Sequence, residues 1–363
     1  MKLQVTQENL SRALATVGRI ASGRNTLPIL SNVLLSTVDN RLRIAATNLE
    51  VAMTETIGAK VASEGSITVP ARLFSDLVNN IPEGVVTLEL SENKLLVTTE
   101  QYESVINGVS AEEFPVMPAL KDGKNLTITA ASLKKGLQQV VGAASSDDAR
   151  PVLTGVYMHS YEGNLYLVAT DSYRLAEKLL QPCSEELSLL IPATSLQDIL
   201  RTLQDDMNDV VITYDDQQVR FSVGDVELIT RLIDGKYPDY RKLIPANFHT
   251  SALLKRADFV NVTKVSSLFA REAAGSVTIK LDSDNKALSI RSVASQLGEN
   301  TARAEAEITG SGDVTINSRY LLDGLAVLSG EKITFNINGK LDPVVLRDPG
   351  QKDYTHVVMP VKS

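Results

Sequence analysis

The chain has 363 residues, of which 43% are hydrophobic and 22% charged, an ordinary composition for a globular protein. It has no run of 18 apolar residues, which excludes a membrane-spanning helix, and its first residues lack the apolar core of a signal peptide. The net charge of −8 argues against a wide basic surface, and the absence of Trp argues against a stacking platform for single-stranded nucleic acid. Because Cys183 is the only cysteine, no internal disulfide can form, and we expect a cytoplasmic protein without a membrane partner.

The first third of the chain is predicted to contain many short strands interrupted by two helices. A short alternating strand at Leu3 and Val5 precedes an amphipathic helix whose apolar residues, Leu10, Leu14 and Val17, recur at helical spacing. Turn residues then separate a series of alternating stretches. The predicted strands are 31–36, 42–47, 51–57, 66–69, 85–90, 94–98 and 102–109, and the second helix is 71–80.

The same pattern recurs further along the chain. The matching stretches of each pair are 123 residues apart, and a third, weaker copy follows at the same offset. The matched stretches are Pro28-Ile29-Leu30-Ser31 with Pro151-Val152-Leu153-Thr154, Ala46-Thr47-Asn48 with Ala169-Thr170-Asp171, Phe114-Pro115 with Tyr237-Pro238, and Leu42 and Ile44 with Leu165 and Leu167 and then with Leu288 and Ile290. The sequence therefore predicts one module used three times.

Three tandem modules of about 120 residues match the usual size of a domain. The predicted domains are 1–122, 123–247 and 248–363, each with two helices packed on one side of antiparallel sheets, which is an α+β fold. Second helices are predicted at 193–203 and 318–328, and the third module's first helix is predicted to begin at Phe259. The aligned second helices carry Asp76, Asp198 and Asp323 at matching positions.

Catalytic patterns are missing from the sequence. The three histidines are scattered, no Cys/His cluster has the spacing of metal ligands, and no glycine-rich phosphate loop is present. We therefore expect no catalytic residue, metal or cofactor. Two functions stay open at this point. One is an enzyme with a site assembled from distant residues, and the other is a repeat scaffold that binds only proteins.

Several stretches, in order along the whole chain, resemble the bacterial DNA polymerase III β subunit, the sliding clamp. They are Gly23-Arg24-Asn25-Thr26-Leu27-Pro28-Ile29-Leu30, Val69-Pro70-Ala71-Arg72, Ala169-Thr170-Asp171-Ser172-Tyr173-Arg174-Leu175, Asp234-Gly235-Lys236-Tyr237-Pro238-Asp239-Tyr240-Arg241 and Val357-Val358-Met359-Pro360.

The resemblance implies a homodimer of two three-domain chains that pair head to tail as a closed ring. Such a ring encircles duplex DNA without reading its sequence and tethers the catalytic subunit of DNA polymerase III. A clamp loader opens and closes the ring with ATP, and other polymerases and repair proteins bind through a short clamp-binding peptide. The clamp itself catalyses nothing.

Simple geometry links the repeat number to the dimer. A domain of 120 residues is roughly a ball of 35 Å, and three touching balls leave a hole of only about 5 Å. Six balls leave a hole of roughly 35 Å, which admits a B-form duplex about 20 Å wide. Two chains are therefore needed.

Basic residues recur on the polar faces of the predicted first helices, where they could contact phosphates. These are Arg12 in the first module and Lys134 and Lys135 in the second. The resemblance adds Arg24 and Arg72, which match family positions that contact DNA, although Thr194 occupies the second-module position of Arg72. The alternative is that any exposed helix face carries Lys or Arg. Together these positions favour the clamp over a scaffold for proteins alone.

The resemblance also implies a pocket for the partner peptide between the second and third domains, lined by apolar residues with basic residues at its rim. Its residues are Arg150, Leu153, Thr170, Tyr173, Arg174, Leu175, Pro238, Lys242, Leu243, Val358, Met359 and Pro360. The alternative for Leu153 and Leu175 is simple core packing. The chain departs from many family members in having Ser172-Tyr173 where they have Gly-His, and in ending Val361-Lys362-Ser363.

For the dimer interface, the resemblance implies an apolar contact at Leu268 and Phe269 in the third domain. Its partner would be the predicted strand 102–109 of the first domain, including Val105 and Val109, whose open edge could pair across the interface. The alternative is that Leu268 and Phe269 complete a helix in the core.

Overall fold

The computed structural model describes residues 1–21, 27–117, 120, 123–204, 209–296 and 298–361. The chain folds into two compact units. The first comprises Met1–Leu133 with Thr194–Leu232, and the second comprises Lys134–Ala193 with Ile233–Ser363. The domain limits 1–122, 123–247 and 248–363 stay predictions.

The first third of the chain contains the helices α1 (Gln7–Ala21) and α2 (Ala71–Asn80), the latter with the predicted bounds. The strand predicted at 102–109 is shorter, because Gly108 donates to the Asn93 carbonyl oxygen and Val109 pairs with Thr68 instead. A strand at 60–63 was not predicted, since this exposed segment lacks alternation. The strands are β1 (Lys2–Thr6), β2 (Asn32–Val38), β3 (Arg41–Thr47), β4 (Val51–Gly58), β5 (Lys60–Ser63), β6 (Ser66–Pro70), β7 (Val85–Ser91), β8 (Lys94–Thr98) and β9 (Glu103–Asn107).

The middle third repeats this order of elements with one strand fewer between its helices, since its described residues contain no counterpart of β5. Its helices are α3 (Ala130–Val140) and α4 (Ala193–Thr202), and the latter ends one residue before the predicted end. The strands are β10 (Lys124–Thr129), β11 (Gly155–Tyr161), β12 (Asn164–Thr170), β13 (Arg174–Pro182), β14 (Ser188–Pro192), β15 (Asp209–Tyr214), β16 (Gln218–Val223) and β17 (Val226–Arg231).

The last third again contains two helices, α5 (Arg256–Ser267) and α6 (Ser318–Val327). The first begins three residues before the predicted start, and the second ends one residue before the predicted end. None of the helices in the described ranges has the length and apolar character needed to cross a bilayer. The strands are β18 (Thr250–Lys255), β19 (Ser276–Asp282), β20 (Ala287–Ala294), β21 (Gly298–Glu305), β22 (Glu307–Thr309), β23 (Gly312–Asn317), β24 (Lys332–Ile337), β25 (Val344–Asp348) and β26 (Gln351–Val358).

Each unit contains two sheets, one of which joins strands from two modules. In the first unit the sheets have the orders β5-β1-β7-β8-β9 and β10-β15-β16-β17-β4-β3-β2-β6. In the second unit the orders are β14-β11-β12-β13-β26-β25-β24-β18-β22 and β21-β20-β19-β23. The pairs β4–β17 and β13–β26 are antiparallel and carry the sheet from one module into the next.

The helices cover one face of the sheets, as the amphipathic pattern predicts. In α1, Leu10, Leu14 and Val17 are at most 1% exposed, and the helix packs on α2, β3 and β4. Burial of each of these side chains stabilises the fold by about 1.5–3 kcal/mol. Arg12 is left on the exposed face of the same helix.

We predict that His356 makes the stability of the protein depend on pH. Burial in β26, aided by the positive charge of Arg174, lowers the pKa of His356 from its ordinary 6.5 to about 4. Between these two values the unfolded chain binds the proton and the folded chain does not, so stability falls as the pH drops from about 6.5 to 4. The loss from this one group is about 3 kcal/mol.

The measurement is the free energy of unfolding by denaturant at several pH values between 7.5 and 4. His356→Gln should flatten this dependence, whereas the same change at the exposed His249 should leave it as in the unaltered protein. Equal pH dependence in all three proteins would contradict the prediction.

Candidate functional site

The turn between β12 and β13 is held by two side chains. The Thr170 hydroxyl donates to the Arg174 carbonyl oxygen at 2.6 Å and accepts the Ser172 N–H at 3.1 Å. The Asp171 carboxylate accepts the N–H groups of Tyr173 and Arg174, each at 2.9 Å. Ser172 has a φ of 76°, in the left-handed region, and the Tyr173 side chain is 63% exposed.

The first module contains the same turn between β3 and β4. The Thr47 hydroxyl donates to the Val51 carbonyl oxygen at 2.9 Å and accepts the Leu49 N–H at 3.0 Å. Asn48 Oδ1 accepts the N–H groups of Glu50 and Val51 at 3.1 and 2.8 Å. Leu49, like its counterpart, has a positive φ, of 78°. The repeated Ala-Thr-Asn/Asp sequence therefore encodes one turn that is used twice.

Arg174 is buried in the second unit and its charge is matched by two carboxylates. Its side chain is only 11% exposed, and its Nε donates to Asp171 at 3.1 Å. One terminal nitrogen donates to Asp323 on α6, and the guanidinium lies 4.8 Å from the centre of the Tyr320 ring. Sequence reasoning placed Arg174 at the pocket rim, but in the structure this side chain ties the turn to α6.

Tyr173 forms part of a half-exposed surface that we call the Tyr173 wall, made of Tyr173, Tyr320, Met359 and Pro360. The two tyrosine rings stack with centres 6.3 Å apart. The Met359 N–H donates to the Tyr173 carbonyl oxygen at 2.8 Å, and Pro360 forms a β-bridge with Ile316. Sequence reasoning missed Tyr320, although its neighbour Asp323 stood out in the alignment of the second helices.

Four of the predicted pocket residues are buried, at most 5% exposed: Leu153, Thr170, Leu175 and Val358. Leu175 belongs to an apolar cluster with Val357 and Tyr237. For Leu153 and Leu175 the structure agrees with the alternative of core packing. Buried side chains of this kind contribute to the interior rather than to an exposed binding surface.

The remaining predicted pocket residues are exposed. Arg150 donates to the Ser172 hydroxyl at 3.2 Å, and Lys242 pairs with Asp239 at 2.7 Å. Pro238 is exposed and Leu243 is 39% exposed. Among the described residues, Arg150 thus lies at the turn that carries Tyr173. The assignment of these residues to a peptide pocket stays a prediction.

A polar network anchors the segment that carries Pro238 and Leu243. The Tyr240 hydroxyl donates to Glu177 at 2.6 Å and lies 2.9 Å from His159 Nε2. Burial lowers the pKa of His159 to about 4, so the ring is neutral at pH 7. The guanidinium of Arg241 lies 3.8 Å from the centre of the Tyr161 ring, a favourable cation–π contact.

Four of the predicted DNA-facing residues fall in the described ranges, and all four lie on helices. Arg12 and Lys135 are exposed on α1 and α3, and Lys134 is half-buried beside Lys135. The Arg72 side chain is 93% exposed and lies 3.9 Å from Asp76. Arg24 lies outside the described residues.

The residues predicted at the dimer interface lie beside open sheet edges. β9 carries Val105, which is 58% exposed, and pairs with β8 alone among the described strands. Leu268, 54% exposed, and Phe269 directly follow α5, which packs on the edge strand β21. Val109 was predicted to lie on an open strand edge. In the structure both its N–H and its carbonyl group bond to the backbone of Thr68, so this residue has no free edge.

No group of three or more His, Cys, Asp or Glu residues within the described ranges is arranged to hold a metal ion.

Comparison with known proteins gives the same family along the whole chain. Three sequence models of the DNA polymerase III beta subunit match in order, the N-terminal domain at residues 1–118, the central domain at 127–239 and the C-terminal domain at 241–362. A beta sliding clamp from Synechocystis is 32% identical, with all of this chain and 99% of the relative covered.

Solved structures are similar throughout as well. A DNA polymerase sliding clamp from Bacillus subtilis superposes with a TM-score of 0.95 at 27% identity, covering all of this chain and 99% of the other. A sliding clamp from Pseudomonas aeruginosa bound to griselimycin has a TM-score of 0.95 at 26% identity and full coverage of both chains. With its three tandem domains of helices and antiparallel sheets, the chain belongs to the family of the DNA polymerase III beta subunit, the beta sliding clamps.

Proposed function

We propose that this protein is a DNA sliding clamp that encircles duplex DNA as a head-to-tail homodimeric ring and tethers the replicative polymerase. The observation that carries the proposal is the succession of three clamp-domain matches along one chain. Two such chains supply six domains, and six balls of roughly 35 Å leave a hole of similar width. A duplex about 20 Å wide passes through such a hole. The ring acts in the cytoplasm, without a catalytic step.

The DNA-facing residues of this proposal are Arg12, Arg24, Arg72, Lys134 and Lys135. Those that the structure describes lie on helices rather than in a groove shaped for bases. Lysine and arginine attract phosphates without regard to sequence, which suits a ring that must slide. The net charge of −8 fits this role, because the excess acidic residues on other surfaces would repel DNA.

Encirclement predicts that retention depends on DNA topology. Rings loaded by the clamp loader should stay on a closed circular plasmid. They should leave the same plasmid once it has been linearised, because a ring slides off a free end. The measurement is gel filtration of clamp and DNA together before and after cutting. Equal retention on both forms would contradict encirclement.

The ring seam of this proposal joins β9 of one protomer to β21 of the other. Both are edge strands in the described ranges, so their unpaired backbone groups could continue one sheet into the next. Leu268, Phe269 and Val105 would be buried beside this ladder, whereas Val109 would pack without pairing.

A charge at the seam should separate the protomers. Leu268→Asp or Val105→Asp would bury an unpaired carboxylate, which costs about 3 kcal/mol or more, so the dissociation constant of the dimer should rise about 100-fold. The measurement is the mass in solution, expected to fall from about twice 39.3 kDa towards 39.3 kDa. Leu341→Asp, at a position that is 66% exposed in the same domain, is the control and should leave the dimer intact.

The partner site of this proposal is the Tyr173 wall together with Pro238, Leu243 and the basic residues Arg150 and Lys242. A short apolar peptide would bind against the exposed rings and aliphatic groups, while the cations would attract its acidic or C-terminal groups. The catalytic subunit of DNA polymerase III, the clamp loader, and other polymerases and repair proteins would compete for this site through such peptides.

The repeated turn provides a matched test of the partner site. Thr170→Val removes a hydroxyl with two hydrogen bonds and should destabilise the protein by about 1–3 kcal/mol. Because this turn carries Tyr173, binding of the polymerase's clamp-binding peptide should weaken about tenfold, measured by fluorescence anisotropy. Thr47→Val removes the corresponding bonds in the first module, so it should cost similar stability and leave peptide affinity unchanged. If the Thr170→Val and Thr47→Val variants bind the peptide with equal affinity, the proposed partner site is wrong.

A further inference from the structure

The segment that joins the second module to the third carries two residues of the proposed partner site, Pro238 and Leu243. We call this segment, residues 233–244, the connector. It contains no strand, and its only regular structure is the short helical turn Tyr240–Leu243. Without a β-ladder along its length, the connector is held in place mainly by its side chains.

A column of stacked rings attaches the first part of the connector to one face of β11 and β12. Tyr237 of the connector stacks on Tyr157 with the ring centres 4.9 Å apart. Tyr157 stacks on His159 at 4.5 Å, and His159 stacks on Tyr166 at 5.8 Å. The position of Tyr237, next to Pro238, is therefore defined by rings that belong to the sheet.

Arg241 attaches the second part of the connector to the same face. Its guanidinium lies 3.8 Å from the centre of the Tyr161 ring, 4.6 Å from that of Tyr166 and 5.4 Å from that of Tyr240. Its Nη2 lies 3.5 Å from Glu177 Oε2, the oxygen that also accepts the Tyr240 hydroxyl. Nε and Nη2 are buried without a hydrogen-bond partner in the part of the chain that the structure describes. Rings and one carboxylate thus hold the guanidinium, as suits a planar cation.

The two residues that are held in this way lie between exposed ones. Tyr240 is 3% exposed and the Arg241 side chain is 29% exposed. Pro238 precedes them, while Lys242 and Leu243 follow, and all three are exposed. Because the turn spans only four residues, fixing Tyr240 and Arg241 also fixes the direction in which Leu243 points.

The first module does not share these side chains. At the offset of 123 residues, Thr54 takes the place of Glu177, and Pro118 takes the place of Arg241. The positions of the four rings on β11 and β12 are occupied there by Leu34, Ser36, Val38 and Arg43. The aromatic attachment is therefore particular to the module whose turn carries Tyr173.

We propose that Arg241 is a positioning residue for the partner site, which holds the connector in the conformation that binds the peptide. This inference rests on the proposed function. Tyr237 and Tyr240 share an apolar cluster with Leu175 of β13 and Val357 of β26, the strands next to the Tyr173 wall. A segment that is ordered before the peptide arrives loses less conformational entropy on binding, so the peptide binds more tightly.

The first test replaces Arg241 and measures the affinity for the polymerase's clamp-binding peptide by fluorescence anisotropy. Arg241→Gln should free the turn, and if the binding conformation is then populated about one tenth of the time, the dissociation constant rises about tenfold. Arg241→Lys keeps the charge but lacks the planar group, so it should weaken binding nearly as much. Arg347→Gln is the control, because it removes a guanidinium that lies 5.8 Å from the Phe248 ring, outside the connector.

Arg347→Gln should leave the affinity unchanged. The inference is wrong if Arg241→Gln or Arg241→Lys binds the peptide as tightly as the unaltered protein does. It is equally wrong if the control loses as much affinity as Arg241→Gln.

Hydrogen exchange separates positioning from a general loss of stability. In Arg241→Gln the amides of residues 237–244 should exchange faster, while those of β18 and β24 keep their rates. Saturating peptide should restore slow exchange in the connector, because binding selects the ordered conformation. Faster exchange throughout the second unit, or a connector that exchanges as in the unaltered protein, would refute the proposed role.

Tyr161→Leu provides a variant that should fold, because this ring is 42% exposed and lies outside the proposed partner site. It removes the ring closest to the guanidinium and should weaken peptide binding about threefold. In an Arg241→Gln background the same change should have no further effect, because the contact is already lost. Unchanged affinity in the single variant, or an equal loss in both backgrounds, would overturn the inference.

Failure of the inference differs from failure of the proposed function. If the unaltered protein binds the peptide and Arg241→Gln binds it equally well, only the role of Arg241 is wrong. If the unaltered protein does not bind the peptide at all, the proposed partner site and this inference are both wrong.

Discussion

Antiparallel pairing between modules is the constraint on which the rest of the structure depends. β4 pairs with β17 and β13 pairs with β26, so each unit is built around a sheet that spans two modules. Backbone hydrogen bonds define the register of these joints, whatever side chains lie along them. The edges left open at β9 and β21 are of the same kind as the joined ones. A fold that extends by adding edge to edge is suited to closing on a second copy of itself.

The repeated turn has the same backbone geometry in two modules but carries different side chains. Thr47 and Thr170 make the same two hydrogen bonds, and both turns contain a residue with positive φ. The following residues then diverge, with Val51 in the first module where the second has Arg174. Val51 can only pack, whereas Arg174 bonds Asp323 on α6 and stacks on Tyr320, which creates the Tyr173 wall. A few substitutions on a preserved turn, among them Glu50 to Tyr173 and Val51 to Arg174, thus change which side chains the turn presents.

The parts of the structure that were predictable are those encoded locally. The helix Ala71–Asn80 has the expected bounds because Phe74 and Val78 follow helical spacing directly after Pro70. The edge strand Lys60–Ser63 was missed since neither of its faces is consistently apolar. The bond from Arg174 to Asp323 joins residues 149 positions apart, so it depends on how α6 packs beside β13. Motif matching could name Leu175 as a pocket residue but could not tell that it is buried in a cluster.

The charges beneath the first helices show how the modules can differ without a change of fold. Glu55 and Lys178 occupy one register position, and both lie almost wholly within the protein. Their aliphatic stems fill similar space, while their charged ends carry opposite signs. Lys178 has the carboxylate of Asp353 as its counter-charge, whereas Glu55 Oε2 is buried without a hydrogen-bond partner among the described residues. The strand pairing is therefore common to the two copies, and packing at this position accepts either an acid or a base.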